Sequence, residues 1–360
     1  MTTIAGRPAG PPGLGARPIA WGIIVPLLCW VLAPGPAAAH VKWFCAYDVT
    51  KPPLPIGEVL NPIFLYCALL FAVLLFLGFL LDRLAQRSGW DTGVDRFLAP
   101  AAAFQPRLMR AGVGAFFVSL WVKGGIILTP ELTTESTLIP WLQFFIAFCV
   151  IWRFTCFFAG LGIIGLYAYG VSIYGVFHMV DYPIFLGIAG YLMLTATNRP
   201  ALLKLRMPVL YAASGFTLMW AAIEKFGYPQ WTLPLLAEHN RITFGMDFDV
   251  FMVLAGFVEF SLAYFLITGT SILRLGTGYL LFIFAAAVLD FGKIDAIGHM
   301  LIIVALVIMT LGGKTSLQEL FVRPKRSVLA ETSLMTVLHF VFLAGFFVLY
   351  YGIQFLEYEA

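Results

Sequence analysis

Ionisable side chains within apolar stretches are the residues of this chain best placed to do chemistry. Glu259 lies inside the apolar stretch 250–268, and Lys225 and Arg274 lie at the ends of neighbouring stretches. A charge in hydrocarbon is costly unless it is paired or reaches water. We therefore expect Lys225 or Arg274 to neutralise Glu259 and to shape a polar cavity that binds a polar headgroup or a small anion. A purely structural ion pair between helices is the alternative.

Two histidine–aspartate pairs add groups that can transfer protons or bind metal. His178 and Asp181 are three residues apart, and Asp295 and His299 are four apart. Both spacings put the two side chains on one face of a helical turn. Imidazole with carboxylate suits a proton relay or a transition metal. We expect Asp295 and His299 to handle protons, and His178 and Asp181 to be candidate metal ligands; helix capping is the alternative for each pair.

The N-terminus has the pattern of a bacterial secretory signal. Arg7 and Arg17 precede the apolar stretch 19–32, and small residues end at Ala39. This order of basic, apolar and small residues is typical of signal peptides. We predict that residues 1–39 are a signal peptide; an uncleaved signal anchor is the alternative.

Cleavage after residue 39 would make His40 the first residue of the mature chain. A free N-terminal histidine offers its amine and its ring nitrogen as a chelate, and copper(II) leads the affinity order for such donors. His239, in a long outer loop, or His178 would supply a further imidazole. Copper binding or delivery is therefore an alternative function. If His40 is only the first residue of a mature chain, it has no such role.

The composition identifies the class of protein. Of 360 residues, 61% are hydrophobic and 11% are charged. Soluble chains are about 45–50% apolar and about 25% charged, so this chain needs lipid as part of its solvent. A net charge of only +3 gives no basic surface for nucleic acid, which we exclude as a partner. Five cysteines, mostly in apolar stretches, imply no disulfide framework.

Apolar stretches of helical length predict about ten transmembrane helices after the signal. They lie near 59–81, 109–128, 138–156, 158–177, 183–197, 207–227, 250–268, 276–290, 296–312 and 332–353. If residue 40 is outside, the outside loops hold only Lys42, Lys51, Arg241 and Lys293, whereas the inside loops hold the other loop Lys and Arg residues. This is the positive-inside pattern. It predicts an all-α polytopic bundle in a bacterial inner membrane, with the mature N-terminus and the C-terminus periplasmic.

The predicted organisation has four parts after the signal. A periplasmic segment covers 40–58. The first transmembrane helix and a cytoplasmic loop cover 59–108, and this loop is expected to contain an interfacial helix. Two four-helix units cover 109–198 and 206–313. A second cytoplasmic loop and the last helix cover 314–360.

The two four-helix units have the pattern of an internal duplication. Each has a tryptophan and then a lysine near the end of its first helix, and each has Phe-x-x-[Val/Ile]-Asp before its last helix. The matching residues are Trp121, Lys123 and Asp181 in the first unit and Trp220, Lys225 and Asp295 in the second.

The second unit resembles the DoxX family of four-helix membrane proteins. The resemblance rests on Glu224-Lys225-Phe226, Gly256-Phe257-Val258-Glu259, Arg274, and Asp295 with His299. It covers 206–313, and 109–198 more weakly. DoxX-like proteins include subunits associated with thiosulfate:quinone oxidoreduction and with membrane redox assemblies, while many have no assigned activity. In the first unit Ala147 stands where the second has Glu259, so a site built on that glutamate would exist once.

The resemblance implies a component of a membrane redox system linked to quinone or to a periplasmic electron donor, working with a partner protein. In this hypothesis Glu259, Lys225 and Arg274 shape the pocket, and Asp295 and His299 transfer protons. Glu224 and Trp220 are assigned to the cofactor-binding wall. The loop 228–249 is the candidate lid. A non-catalytic membrane scaffold is the third hypothesis.

Overall fold

The computed structural model describes residues 41–322 and 326–360, and every regular element in these two ranges is a helix. The longer helices are α1 (Pro62–Ser88), α2 (Trp90–Ala102), α3 (Gln105–Lys123), α4 (Leu138–Cys149), α5 (Cys156–Met179), α6 (Pro183–Ala196), α7 (Arg206–Gly227), α8 (Pro229–Glu238), α9 (Phe248–Thr268), α10 (Leu273–Phe291), α11 (Lys293–Gly312) and α12 (Val328–Tyr358). Single turns lie at Ile56–Val59, Pro200–Leu203 and Ser316–Glu319, with 3₁₀ turns at Val41–Trp43 and Asn240–Thr243. The predicted all-α class is confirmed. The predicted signal peptide and His40 lie outside the described residues.

Six described helices are long and apolar enough to cross a membrane: α1, α5, α9, α10, α11 and α12. Helices α4 and α6 are shorter but also apolar. Each of the ten predicted spans overlaps one helix of the structure. The chain is therefore a multi-pass helical membrane protein.

Local sequence explains where the outermost helices begin and end. The Asn61 side chain accepts a hydrogen bond from the Phe64 backbone N–H, and Pro62 occupies the first turn of α1. Gly89 then ends α1 in a left-handed conformation, with φ of 70°. Helix α12 begins in the same way, because the Ser327 hydroxyl accepts from the Ala330 N–H.

The two ends of the bundle carry different polar clusters. At one end, called the Arg83 end, Arg83 pairs with Asp82 at 2.7 Å and with Glu331 at 3.2 Å. The Asp82 carboxylate also accepts from the backbone N–H groups of Thr270 and Ile272, at 3.1 and 2.7 Å. These contacts join α1 to the α9–α10 turn and to the start of α12. The opposite end, which holds Lys42 and is called the Lys42 end, contains the candidate site.

Helix α2 lies in the segment where an interfacial helix was predicted. Lys314 Nζ lies 2.6 Å from Asp91, and Arg274 lies 2.5 Å from Asp95. These two ion pairs hold α2 beside the ends of α10 and α11. Phe97, on the other side, is 82% exposed. An amphipathic helix whose polar face forms ion pairs with the protein and whose aromatic face is exposed is typical of the membrane interface.

The two predicted four-helix units pack against each other in a reciprocal way. The first helix of unit 1, α3, packs against the last helix of unit 2, α11. Likewise, the last helix of unit 1, α6, packs against the first helix of unit 2, α7. Helices α1 and α12 pack together against α9. The candidate site lies where α6, α7, α9 and α11 meet.

Candidate functional site

A cavity of about 80 Å³ lies at the Lys42 end between α6, α7, α9 and α11. Its polar wall contains five residues that the sequence analysis had selected: Asp181, Glu224, Lys225, Glu259 and His299. Aromatic side chains of the N-terminal segment, α6 and α10 form much of the rest, namely Trp43, Phe185 and Phe284. Residues chosen for separate reasons thus converge on one cavity.

The ion pair predicted for Glu259 is formed by Lys225. The Lys225 Nζ atom on α7 lies 2.5 Å from Glu259 Oε2 on α9, and each side chain is less than one-fifth exposed. A side chain at Gly256 would place its Cβ 2.6 Å from the Phe226 ring. Glycine at this position therefore allows α7 and α9 to approach closely enough for the pair to form.

A second polar pair contributes His299 to the cavity wall and places Asp295 behind it. His299 Nδ1 lies 2.9 Å from Asp295 Oδ2, as the four-residue spacing predicted, and Asp295 is fully buried. When Nδ1 carries the hydrogen, it donates to the carboxylate and leaves Nε2 as the proton acceptor. The rings of Trp43 and Phe284 flank the imidazole, with centroids at 4.6 and 4.7 Å.

Lys42 closes the site from the N-terminal segment. Its ammonium group pairs with Asp181 and lies 2.6 Å from Glu224 Oε2, and only 1% of its side chain is exposed. Burial disfavours the charged ammonium, but the two carboxylates outweigh that effect and raise the pKa of Lys42 above its ordinary value. Lys42 is therefore an ammonium ion under any physiological condition.

Two aromatic rings complete the surroundings of the Lys42 ammonium. Nζ lies 5.4 Å from the ring centroid of Trp231 and 5.8 Å from that of Tyr47. Both distances are within the range of cation–π attraction. Trp231 belongs to α8, in the loop 228–249 that was predicted to be a lid. This loop thus forms part of the wall around the N-terminal segment.

His178 sits beside this cluster in an aromatic setting. Its ring packs against those of Tyr47 and Tyr174, with centroids at 5.5 and 5.4 Å, and Nε2 lies 3.9 Å from Glu131. The Tyr182 hydroxyl donates to the same Glu131 carboxylate. His178 thus faces the α3–α4 connection.

A kink in α5 sets the direction of His178. Gly175 has a φ of 80°, which interrupts the helical hydrogen bonds. The Phe177 N–H donates instead to Glu357 Oε2, at 2.8 Å, near the end of α12. Helix α12 therefore stabilises the turn that carries His178 and Asp181.

The structure corrects the assignment of Arg274 to the Glu259 pocket. Arg274 pairs with Asp95, and its Nε atom donates to the Thr310 carbonyl at 3.1 Å. It lies at the first turn of α10, whereas the cavity contacts the far half of that helix through Phe284. A helix of 19 residues is about 28 Å long, so the arginine is at the wrong end to reach Glu259.

Of the two residues assigned to the cofactor-binding wall, only Glu224 lines the cavity. Trp220 is fully buried, and its ring packs on that of Tyr350 at 4.6 Å, so it supports α7 against α12 and does not line the cavity. Glu224 lines the cavity, as assigned. It is 6% exposed because Lys42 neutralises it in place.

The proposed metal ligands are not gathered into one site. Asp181 is bound by Lys42, and His178 faces Glu131. His239 packs on Phe291 at 4.7 Å and lines a separate open depression with Glu238 and Asp290. Within residues 41–322 and 326–360, no three His, Cys, Asp or Glu residues are arranged to hold a metal ion.

Sequence reasoning missed Lys42, Trp43 and Glu131 as site residues. Lys42 was counted only as a loop charge, although it stands in an otherwise apolar and aromatic segment, 41–45. A signal was present, because the acidic residues predicted at the outer ends of spans outnumber the lysines there. The sequence does not say which of them lie close enough to share a cation.

Comparisons with protein-family models, with curated proteins and with solved structures give no match to this chain.

Proposed function

We propose that the protein is a membrane redox component that binds the headgroup of a quinone or quinol in this cavity. One observation carries the proposal: the Lys225–Glu259 pair and His299, whose imidazole pairs with Asp295 behind the wall, line the same cavity of a membrane helix bundle. Buried acid–base pairs in membrane helices are typical of sites that exchange protons with a substrate. Quinone reduction and quinol oxidation both require such exchange.

The four polar residues have separable roles in this proposal. His299 accepts a proton from a quinol hydroxyl through Nε2, while Asp295 holds the imidazole and stabilises its positive charge. Lys225 donates a hydrogen bond to a quinone oxygen. Glu259 pairs with Lys225 and holds it at the cavity wall. Electrons pass to or from a partner protein.

The polar residues of the cavity can bind a quinone headgroup, but the cavity is too small to hold one until a wall residue moves. A cavity of about 150 Å³ binds benzene in another protein, whereas this one measures about 80 Å³. Trp43 is the wall residue that can leave, because it belongs to a three-residue turn, whereas Phe185, Phe284 and His299 belong to helices of 14 to 20 residues. Headgroup binding therefore displaces Trp43 from His299.

The distribution of cations supports the predicted orientation. Arg83, Arg110, Arg153, Arg274 and Lys314 all belong to the loops or helix ends opposite Lys42. Under the positive-inside rule this end faces the cytoplasm. In the proposed topology ten helices cross a bacterial inner membrane, and the Lys42 end faces the periplasm.

The reciprocal packing of α3 with α11 and of α6 with α7 supports an internal duplication of a DoxX-like four-helix unit. Two copies related by an approximate two-fold axis would make such contacts in pairs. Lys123, the counterpart of Lys225, is exposed. This agrees with a single functional pair in unit 2.

Copper delivery through His40 is the weaker proposal. Its two candidate further ligands lie apart, because His178 faces Glu131 and His239 lines a separate depression.

The test is binding of a short-chain benzoquinone to the purified protein in lipid nanodiscs, measured by calorimetry. We expect saturable binding, weakened about tenfold in His299→Asn and in Glu259→Gln, which corresponds to about 1.4 kcal/mol or one hydrogen bond. His239→Asn, outside the cavity, is the matched control and should bind like the unmodified chain. Absence of saturable binding, or equal binding by all four proteins, would contradict the proposal and favour the scaffold hypothesis.

A further inference from the structure

The ammonium group of Lys42 occupies a cage whose walls come from four parts of the chain. Asp181 follows α5, Glu224 belongs to α7, Trp231 to α8, and Tyr47 to the N-terminal segment. We call these four residues the ammonium cage. Two carboxylates supply charge, and two rings supply their electron-rich faces.

Two of the four cage residues, Trp231 and Glu224, are held in place without help from Lys42. The Trp231 ring stacks on Tyr228, with centroids 4.0 Å apart and planes within 7°. The Tyr228 hydroxyl is fixed in turn by donating to the Lys51 carbonyl at 2.7 Å. Glu224 belongs to a 22-residue helix. A site whose walls are ordered by other contacts does not need to be ordered by its ligand, which favours binding.

The charge balance of the cage favours a cation. Two buried carboxylates face one ammonium group, so without Lys42 two negative charges would be left among aromatic rings. A primary ammonium has three N–H donors, which allows it to bind both carboxylates at once. A quaternary ammonium has the same charge but no donor.

We propose that the ammonium cage is a binding site for a primary alkylammonium group, which Lys42 fills as a tethered ligand and a free primary amine fills in its absence. The site is distinct from the quinone cavity in chemistry, although Asp181 and Glu224 contribute to the walls of both. The inference does not depend on quinone binding.

The experiment replaces the tether with a free amine. Lys42→Ala removes the side chain beyond Cβ, and n-propylammonium reproduces the carbons and the nitrogen that are lost. Thermal unfolding is followed in detergent at constant ionic strength. At a concentration about a hundredfold above its Kd, we expect n-propylammonium to raise the Tm of Lys42→Ala by about 3–4 °C, as ligand linkage predicts for a chain of this size.

Three compounds separate recognition of the ammonium from less specific effects. Propan-1-ol fills the same space without charge, tetramethylammonium carries the charge without donors, and sodium chloride controls for salt. None should raise the Tm of Lys42→Ala as n-propylammonium does. A rise equal to that given by any of the three would overturn the proposal.

Matched variants locate the effect. Lys51→Ala removes a lysine of the same segment that is 77% exposed, and its Tm should not respond to n-propylammonium. Adding Asp181→Asn to Lys42→Ala should abolish the response. If Lys42→Ala does not accumulate alone, it is expressed and purified with the amine present. Failure to recover folded protein under those conditions also counts against the proposal.

Discussion

Lys225 Nζ on α7 lies 2.5 Å from Glu259 Oε2 on α9, so a glutamate half-way along a membrane helix is neutralised by its neighbour. Both side chains remain partly accessible from the cavity. The two opposite charges neutralise each other, as burial in hydrocarbon requires, and their charged atoms still face the cavity, where a ligand can reach them. The Arg83–Glu331 pair is also neutral, but both of its side chains are fully buried and it presents no charged atom to a ligand.

Replacing Glu259 with glutamine should remove function without unfolding the protein. The amide keeps the shape of the carboxylate, and Lys225, which is 18% exposed, can reach cavity water. Quinone-linked turnover in membranes should fall at least about tenfold, because the charge that orients Lys225 is lost. Glu238→Gln, at an exposed position outside the cavity, serves as the control. Unchanged turnover in Glu259→Gln would rule out this role.

Shortening Trp43 should make headgroup binding tighter. In Trp43→Leu the cavity is larger before the ligand arrives, so less free energy is spent on displacing the indole. We expect the Kd for a short-chain benzoquinone to fall several-fold by calorimetry. Phe44→Leu alters the adjacent ring, which packs on Phe291 away from the cavity, and should leave the Kd unchanged. Weaker binding by Trp43→Leu would mean that the indole is part of the binding surface.

An alanine at Gly175 should destabilise the protein. The φ of 80° is unfavourable for an L-residue, and the new Cβ would collide with the Glu357 carboxylate that accepts from Phe177. The expected loss is about 1–3 kcal/mol of unfolding free energy, read from thermal or denaturant unfolding. Gly165→Ala, in the same helix with no atom within 4 Å of its Cβ, should be neutral or slightly stabilising. If the two variants were equally stable, a side chain at position 175 would not strain the kink.

Loss of Lys42 should cost at least as much stability at pH 10 as at pH 7. Because its folded pKa is raised above the ordinary 10.5, the stabilisation is fully present below 10.5 and is lost only as pH rises through the folded value. Lys42→Met should therefore lower the unfolding free energy by about 3–5 kcal/mol at both pH values, since it leaves two buried carboxylates unpaired.

The control for the Lys42 prediction is Lys51→Met. Lys51 is 77% exposed and lies 3.9 Å from Asp48, so its replacement should change stability by less than about 1 kcal/mol. The loss of unfolding free energy caused by Lys42→Met is compared at the two pH values. A smaller loss at pH 10 than at pH 7 would show that Lys42 titrates like a free lysine.

The sequence predicted the Glu259 pair and the Asp295–His299 pair for physical reasons that act locally or along one helix. Hydrocarbon penalises an unpaired Glu259, and a four-residue spacing aligns Asp295 with His299 on α11. Helix existence was predictable for the same kind of reason, since runs of apolar residues need no knowledge of their neighbours.

Features that depend on which helices meet were not predictable. Arg274 was placed near Glu259 because both are charged and lie in adjacent spans. In the structure Arg274 pairs with Asp95 at the first turn of α10, away from the cavity that Glu259 lines. Lys42 was missed because its role depends on Asp181 and Glu224, which are far away in the chain and reach it only through packing. The Gly175 kink left no signal, since a glycine in an apolar helix is common in membrane proteins.

Helix α12 makes a side-chain contact at each end of the molecule and spans the distance between them. Its Glu331 pairs with Arg83, and its Glu357 accepts from Phe177 at the kink of α5. These glutamates are about 39 Å apart along an unbroken helix. Sliding α12 along its axis would break both contacts together, so the helix acts as a strut of fixed length. We therefore expect opening at the Lys42 end to involve the segment that carries Lys42 and Trp43, which neither of these two contacts restrains.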